Sequence, residues 1–153
     1  PFDGWLRSPV LCHEMRVFGG MLWEQTSLDR GVVELAIAIA AAYWHSNVDW
    51  SHAARAVELG IDQAVLDAVE AGRRPASDRA DVLVTYDLAQ AFLQNKSLSA
   101  SLYEHAVSVI GERGIVEVAF LVGYYTTIAY TTRAFDVEPP EGRPRPFSRP
   151  PEV

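Results

Sequence analysis

Apolar residues recur along this chain at helical rather than strand spacing. After an opening loop, PFDGWLR, Ser8 and Pro9 read as a helix start, with the serine as cap and the proline in the first turn. In the run that follows, VLCHEMRVFGGMLWEQ, Val10, Leu11, Met15, Phe18, Met21 and Leu22 share a face, which leaves His13 and Glu14 on the solvated side. Gly19 and Gly20 lie inside it. A glycine pair costs helix stability, so it points to a second helix packed close against this one. Ser27 or Asp29 then caps VVELAIAIAAAYW, a segment apolar nearly all round and therefore expected to be buried on most sides. In so small a domain that burial points to a subunit interface.

Asn47 reads as the cap of a third helix, VDWSHAARAVEL, stopped by Gly60, and QAVLDAVEA forms a fourth that ends at Gly72. A short connection around Pro75 leads to Ser77 or Asp78 and a long helix, RADVLVTYDLAQAFLQN. Ser99 caps ASLYEHAVSVIG, and the last helix runs from about Gly114 to Phe135. No segment alternates cleanly as a strand would, and no solenoid repeat is present. The expected architecture is all-α. Residues 1–136 form one helical domain, and 137–153, VEPPEGRPRPFSRPPEV, is a proline-rich arm without regular structure, either extended over a neighbouring subunit or disordered.

Composition narrows the function. With 153 residues, 49% hydrophobic and 22% charged, the chain suits one globular domain with a real core. Val32 to Trp44, its longest apolar run, is shorter than the roughly 20 residues that cross a bilayer, so no membrane span is expected. A net charge of −7 argues against nucleic acid, whose phosphates need a basic face. Lys96 is the sole lysine, so an anionic ligand must find an arginine. One cysteine, Cys12, rules out an internal disulfide and any CxxC chemistry. PFDGWLRSP also lacks the basic-then-apolar pattern of a secretory leader, and the expected location is cytoplasmic.

The chemistry concentrates between Arg30 and Gly60. Glu34 sits among Val33, Leu35, Ala36 and Ile37, where a dry carboxylate has a raised pKa or needs a partner; Arg30, one turn earlier, is the simplest one. Asp49 and His52 lie three apart on the third helix. They can face one cleft, although Asp49 serves equally as a first-turn acid and His52 as a partly buried core histidine. Trp50 between them suits either core or a ligand platform. Neither HExxH nor a Cys/His cluster occurs, so no metal site is expected. GxxxxGK, GxGxxG and GxSxG are missing too. Cofactor-free acid–base chemistry is what remains.

These same segments carry a resemblance. PFDGWLRSP, VVELAIAIAAAYWHSNVDWSHAARAVELGID, ERGIVEVAFLVGYYTTIA and FDVEPPEG, in that order and over nearly the whole chain, resemble the carboxymuconolactone decarboxylase family, which also includes the AhpD-like alkylhydroperoxidases. The resemblance implies an AhpD-like helical bundle that assembles into trimers or hexamers. The family's redox branch carries a CxxC pair just before its histidine. HSNVDWSH contains no cysteine, which excludes a thiol peroxidase. The decarboxylase branch is closer: its early Glu, its acid followed by Trp, and its His match Glu34, Asp49, Trp50 and His52. Two departures stand out. Asp49 replaces a usual Glu, and Ser51 alone separates Trp50 from His52 where two residues are usual, a change that turns a helix by about 100°. A straight hairpin about Asn47 would also keep Glu34 away from His52, so their meeting needs a crossing angle or a second subunit.

The resemblance implies a cofactor-independent decarboxylase or related lyase acting on a small unsaturated lactone or carboxylic acid, as a homo-oligomer. On that expectation His52 donates the proton or holds the oxyanion. Asp49 orients the imidazole, Glu34 relays the proton and Trp50 walls the flat ring. Arg30 anchors the substrate carboxylate, with Glu117 and Tyr125 behind them. The alternatives are another proton-transfer enzyme, an isomerase or dehydratase of a secondary metabolite or xenobiotic, and a non-catalytic oligomeric binding protein of the same fold.

Overall fold

A computed structural model describes residues 2–148. Among them the chain forms seven helices and no strand: α1 (Phe2–Trp5), α2 (Pro9–Glu24), α3 (Arg30–Tyr43), α4 (Ser51–Glu58), α5 (Gln63–Glu70), α6 (Ala80–Leu93) and α7 (Ala100–Ala134). Helix α3 is the axis of the bundle, with α4, α5, α6 and α7 packed around it. Every residue from Gly31 to Ala41 is buried, and Leu35, Ile37 and Ile39 are wholly so. At roughly 1.5–3 kcal/mol for each large aliphatic side chain removed from water, this stripe is the main reason the segment is a stable helix. Asp29 fixes its start by accepting from the amides of Gly31 and Val32. The burial needs no second subunit, because the chain's own helices enclose α3. The subunit interface expected from its apolar sequence is therefore not required by it.

The caps divide into those that form and those that do not. Ser99 accepts from Leu102 N and opens α7, while Gly60 and Gly72 close α4 and α5 with positive φ. Ser8 stands at the N-cap of α2, but its side chain bonds none of the free amides. Asn47 is not a cap either: α4 begins only at Ser51, after a turn over residues 47–50. The opening segment, expected as loop, includes the one-turn helix α1. Helix α7 joins the two final helices of the sequence expectation through Gly111, whose φ of 71° and ψ of 168° bend it. An L side chain avoids that conformation, so the bend falls at the glycine.

Gly19 explains half of the glycine pair. A Cβ there would lie 2.3 Å from the Tyr124 hydroxyl, so α2 meets α7 closely at this point, whereas Gly20 faces open space. Beyond Asp136 the arm has no regular structure, as its prolines dictate, yet it packs on its own chain. The Asn47 side chain donates to Phe147 O at 2.8 Å and accepts from Phe147 N at 3.0 Å. The Phe147 ring stacks on His45 and meets Trp50 edge-on. Residues 149–153 of the expected arm lie outside the described residues. No helix among the described residues is long and apolar enough to cross a membrane.

Candidate active site

Two local devices deliver the site. The Asp29 cap sets the phase of α3 so that Glu34, one turn in, points into the bundle with its side chain only 2% exposed. At the other end, the amides of His45 and Ser46 bond back to Ala42 O and Ala41 O, with His45 at φ 52°. This left-handed closure satisfies the last carbonyls of α3 and reverses the chain. The turn over 47–50 and the start of α4 then bring His52 back to Glu34. Their contact, His52 Nδ1 to Glu34 Oε2, is 2.5 Å long and lies within one chain, so of the two routes expected, a crossing angle or a second subunit, the second subunit is unnecessary.

On the other side of the ring, His52 Nε2 lies 3.5 Å from the Tyr125 hydroxyl, and the two rings meet edge to face at 5.2 Å. Against an ionised carboxylate, which only accepts, this contact requires its proton on Nδ1, and that arrangement leaves Nε2 for the chemistry of the imidazole. Burial, then the fields of Asp49, Tyr124 and Glu34, push the Tyr125 phenol far above its ordinary pKa. It stays a neutral O–H donor. Of this line Glu34 is buried, while Tyr125 is partly exposed and the imidazole side chain is 24% exposed. Buried acid, half-buried imidazole and neutral phenol together make a path along which a proton is held or moved.

The remaining expected residues are placed differently. Asp49 is buried, but it accepts from Ser46 Oγ at 2.6 Å instead of orienting the imidazole, a role that falls to Glu34. Burial pushes its carboxyl above the usual range, against the Ser46 bond and the field of nearby His52, both of which favour the anion. Trp50 is buried, and its edge-on ring neighbour is Phe147 of the chain's own tail. Arg30 does not pair with Glu34; its guanidinium lies over the Trp23 ring, 4.3 Å from the centroid. Glu117 ties α7 to the α2–α3 connection, accepting from Ser27 N, Ser27 Oγ and Arg113 Nε. Burial works to raise its pKa, but the bonds from Ser27 and Arg113 overcome this and hold the carboxyl below its ordinary value. Only Glu34, His52 and Tyr125 of the seven expected residues stand in direct contact as a group.

Sequence reasoning passed over Ser46 and Phe147, and it read Asn47 only as a helix cap. The Ser46-to-Asp49 spacing of three is a visible signal for a side-chain bond across one turn, while nothing local marks Phe147. Among the described residues, no three His, Cys, Asp or Glu side chains converge as a metal ion requires. Comparison of the chain with protein-family models, with curated proteins and with solved structures finds no match.

Proposed function

We propose that the chain is a cofactor-independent acid–base enzyme, a carboxy-lyase with an AhpD-like bundle of the carboxymuconolactone decarboxylase kind, acting on a small unsaturated lactone or carboxylic acid. The observation that supports this most is the 2.5 Å contact of His52 Nδ1 with a buried Glu34, behind an imidazole whose other nitrogen faces Tyr125. In a γ-carboxylated butenolide, breaking the bond to the carboxyl group releases carbon dioxide. The electron pair passes through the ring double bond to the lactone carbonyl, so the substrate is its own electron sink. In this step His52 acts as the imidazolium, its Nδ1–H donating to Glu34, and gives its Nε2 proton to the dienolate carbon. Water at its exposed edge replaces that proton. The neutral Tyr125 phenol is suited to donate to the dienolate oxygen.

Incubation with γ-carboxymuconolactone, followed by absorbance and carbon dioxide release, tests this reading. General acid catalysis contributes about 10²–10⁴-fold, so His52→Ala and Glu34→Ala should lose at least 100-fold while remaining folded. Equal rates in all three proteins remove the catalytic assignment. The proposal includes a homo-oligomer, a trimer or hexamer, in the cytoplasm. It is supported by Val10, Val17 and Met21, which α2 leaves exposed. Light scattering that returns a stable monomer contradicts that part. An isomerase or dehydratase reading shares the same three residues, and the neutral Tyr125 donor favours it equally, since polarising a carbonyl serves enolisation as well as decarboxylation. Deuterium exchange into an enone without carbon dioxide release would decide for it.

A further inference from the structure

A cavity lies away from His52. Helices α1 and α2 and the C-terminal part of α7 border an open cleft of about 400 Å³, a volume in the range of small-molecule sites. Trp5, Leu11, Met15 and Phe135 give it an apolar lining, and Cys12, the only cysteine of the chain, stands in its wall. Its polar atoms are largely spoken for. Trp5 Nε1 donates to Thr131 Oγ1, and the Thr127 and Thr131 hydroxyls donate back into α7. The cleft is a built feature: Gly4 lies so close to the Phe135 ring that a Cβ would sit 2.7 Å from it.

Its rim carries a positioned cation. The Arg7 guanidinium lies over the Phe135 ring, 4.6 Å from the centroid, and Nη1 donates to Asp3 O at 2.7 Å. Among the described residues no carboxylate pairs with it. A guanidinium has five N–H donors in a rigid fork, and one hydrogen bond leaves most of them free for a carboxylate. Next to it stands Ser8, whose hydroxyl is uncommitted to the α2 amides.

We propose that this cleft binds a small amphipathic carboxylate, with its apolar body between Trp5, Leu11 and Met15 and its charged end on Arg7 and Ser8. The apolar walls select against polar solutes, and the unpaired guanidinium selects the anion over its neutral analogue. The site is separate from the proposed reaction centre. Tyr124 and Tyr125 pack against the cluster of Trp5, Cys12 and Ile128 beside the cleft, and Tyr125 meets the His52 ring edge to face.

Cinnamate and octanoate are suitable probes, with cinnamyl alcohol as the uncharged control. Calorimetric titration of the full chain should show one site for each acid and at least a tenfold weaker interaction with the alcohol. Bound cinnamate should slow alkylation of Cys12 by iodoacetamide severalfold. Arg7→Gln should weaken cinnamate at least tenfold. Leu11→Trp, a change at an exposed position that fills the mouth, should abolish binding with the circular dichroism spectrum retained. His52→Ala should bind cinnamate as wild type does, whatever its effect on turnover. The proposal is overturned by equal affinity for acid and alcohol, by unchanged binding in Arg7→Gln or Leu11→Trp, or by loss of binding in His52→Ala. Alkylation of Cys12 that is indifferent to cinnamate overturns it too, and so does protection that rises with protein concentration alone, which means a second copy fills the cleft.

Discussion

His52→Ala should cost far more stability than the removal of a partly exposed side chain normally does. The imidazole hydrogen bonds Oε2 of a carboxylate whose side chain is 2% exposed, and its loss strands that acid inside the bundle. Removing one partner of a buried ion pair costs about 3–5 kcal/mol. The low end applies here, because His52 is itself 24% exposed and water can enter the space it vacates. About 3 kcal/mol is a large share of the 5–15 kcal/mol that holds a domain folded. At roughly 2–4 °C per kcal/mol for a chain of this size, the midpoint should fall by about 6–12 °C. The double variant Glu34→Met with His52→Ala separates the stranded charge from lost packing. With an apolar side chain of similar length in place of the acid, most of the loss should return, to within about 1 kcal/mol of wild type. Urea unfolding at pH 7 measures all three proteins. A single variant within about 0.5 kcal/mol of wild type, or a double variant no more stable than the single, refutes the reasoning.

Other substitutions test the packing and the titration. Gly19→Ala should destabilise by about 1–3 kcal/mol, because its Cβ meets a Tyr124 ring held by Trp5, Phe18 and Tyr125. Gly20→Ala, one residue on and facing open space, should be neutral or stabilise by up to about 1 kcal/mol; thermal melts that rank the two the other way contradict the helix contact. Among the described residues no hydrogen-bond partner reaches the buried Thr85 hydroxyl, so Thr85→Val should gain about 1 kcal/mol in urea unfolding, and a loss would mean that the hydroxyl is satisfied. Folding raises the Asp49 pKa above its reference 3.8, so its contribution is intact below that pH and is lost as pH rises through the raised value. Asp49→Asn, which can still accept from Ser46, should therefore match wild type near pH 3 and become progressively more stable than wild type as pH rises from about 4. A difference that does not change with pH contradicts the burial of that charge.

The helices were legible wherever local chemistry and burial agree. Helix α3 shows the agreement best, with an Asp29 cap, a continuous apolar body and a chain reversal all readable from sequence. Residue type alone misled at Ser8 and Asn47, since a cap requires a particular side-chain direction as well as a competent oxygen. Asn47 spends its amide on Phe147, a hundred residues away, and no local pattern announces that. The prolines of the arm correctly excluded helix, but they say nothing of where one phenylalanine will find two aromatic neighbours. Helix α1 escaped notice because one turn has too few internal bonds to leave a periodic signal. Of the site, the types Glu, His and Tyr were readable, and the order in which they touch was not. Glu34 rather than Asp49 holds the imidazole because the turn over 47–50 decides which face of α4 looks at α3. Arg30 shows the reverse error, a favourable helical spacing overridden by the nearby face of Trp23.

The arrangement on which the functional reading stands is the tautomer of one imidazole. Long-range ¹H–¹⁵N correlation of His52, at a pH where the ring is neutral, reads it directly. The predicted spectrum has the proton on Nδ1, held by Glu34, with Nε2 bearing the lone pair toward Tyr125, and Glu34→Leu removes that preference. A proton resident on Nε2 in the wild-type protein, or a spectrum unchanged in Glu34→Leu, contradicts the account.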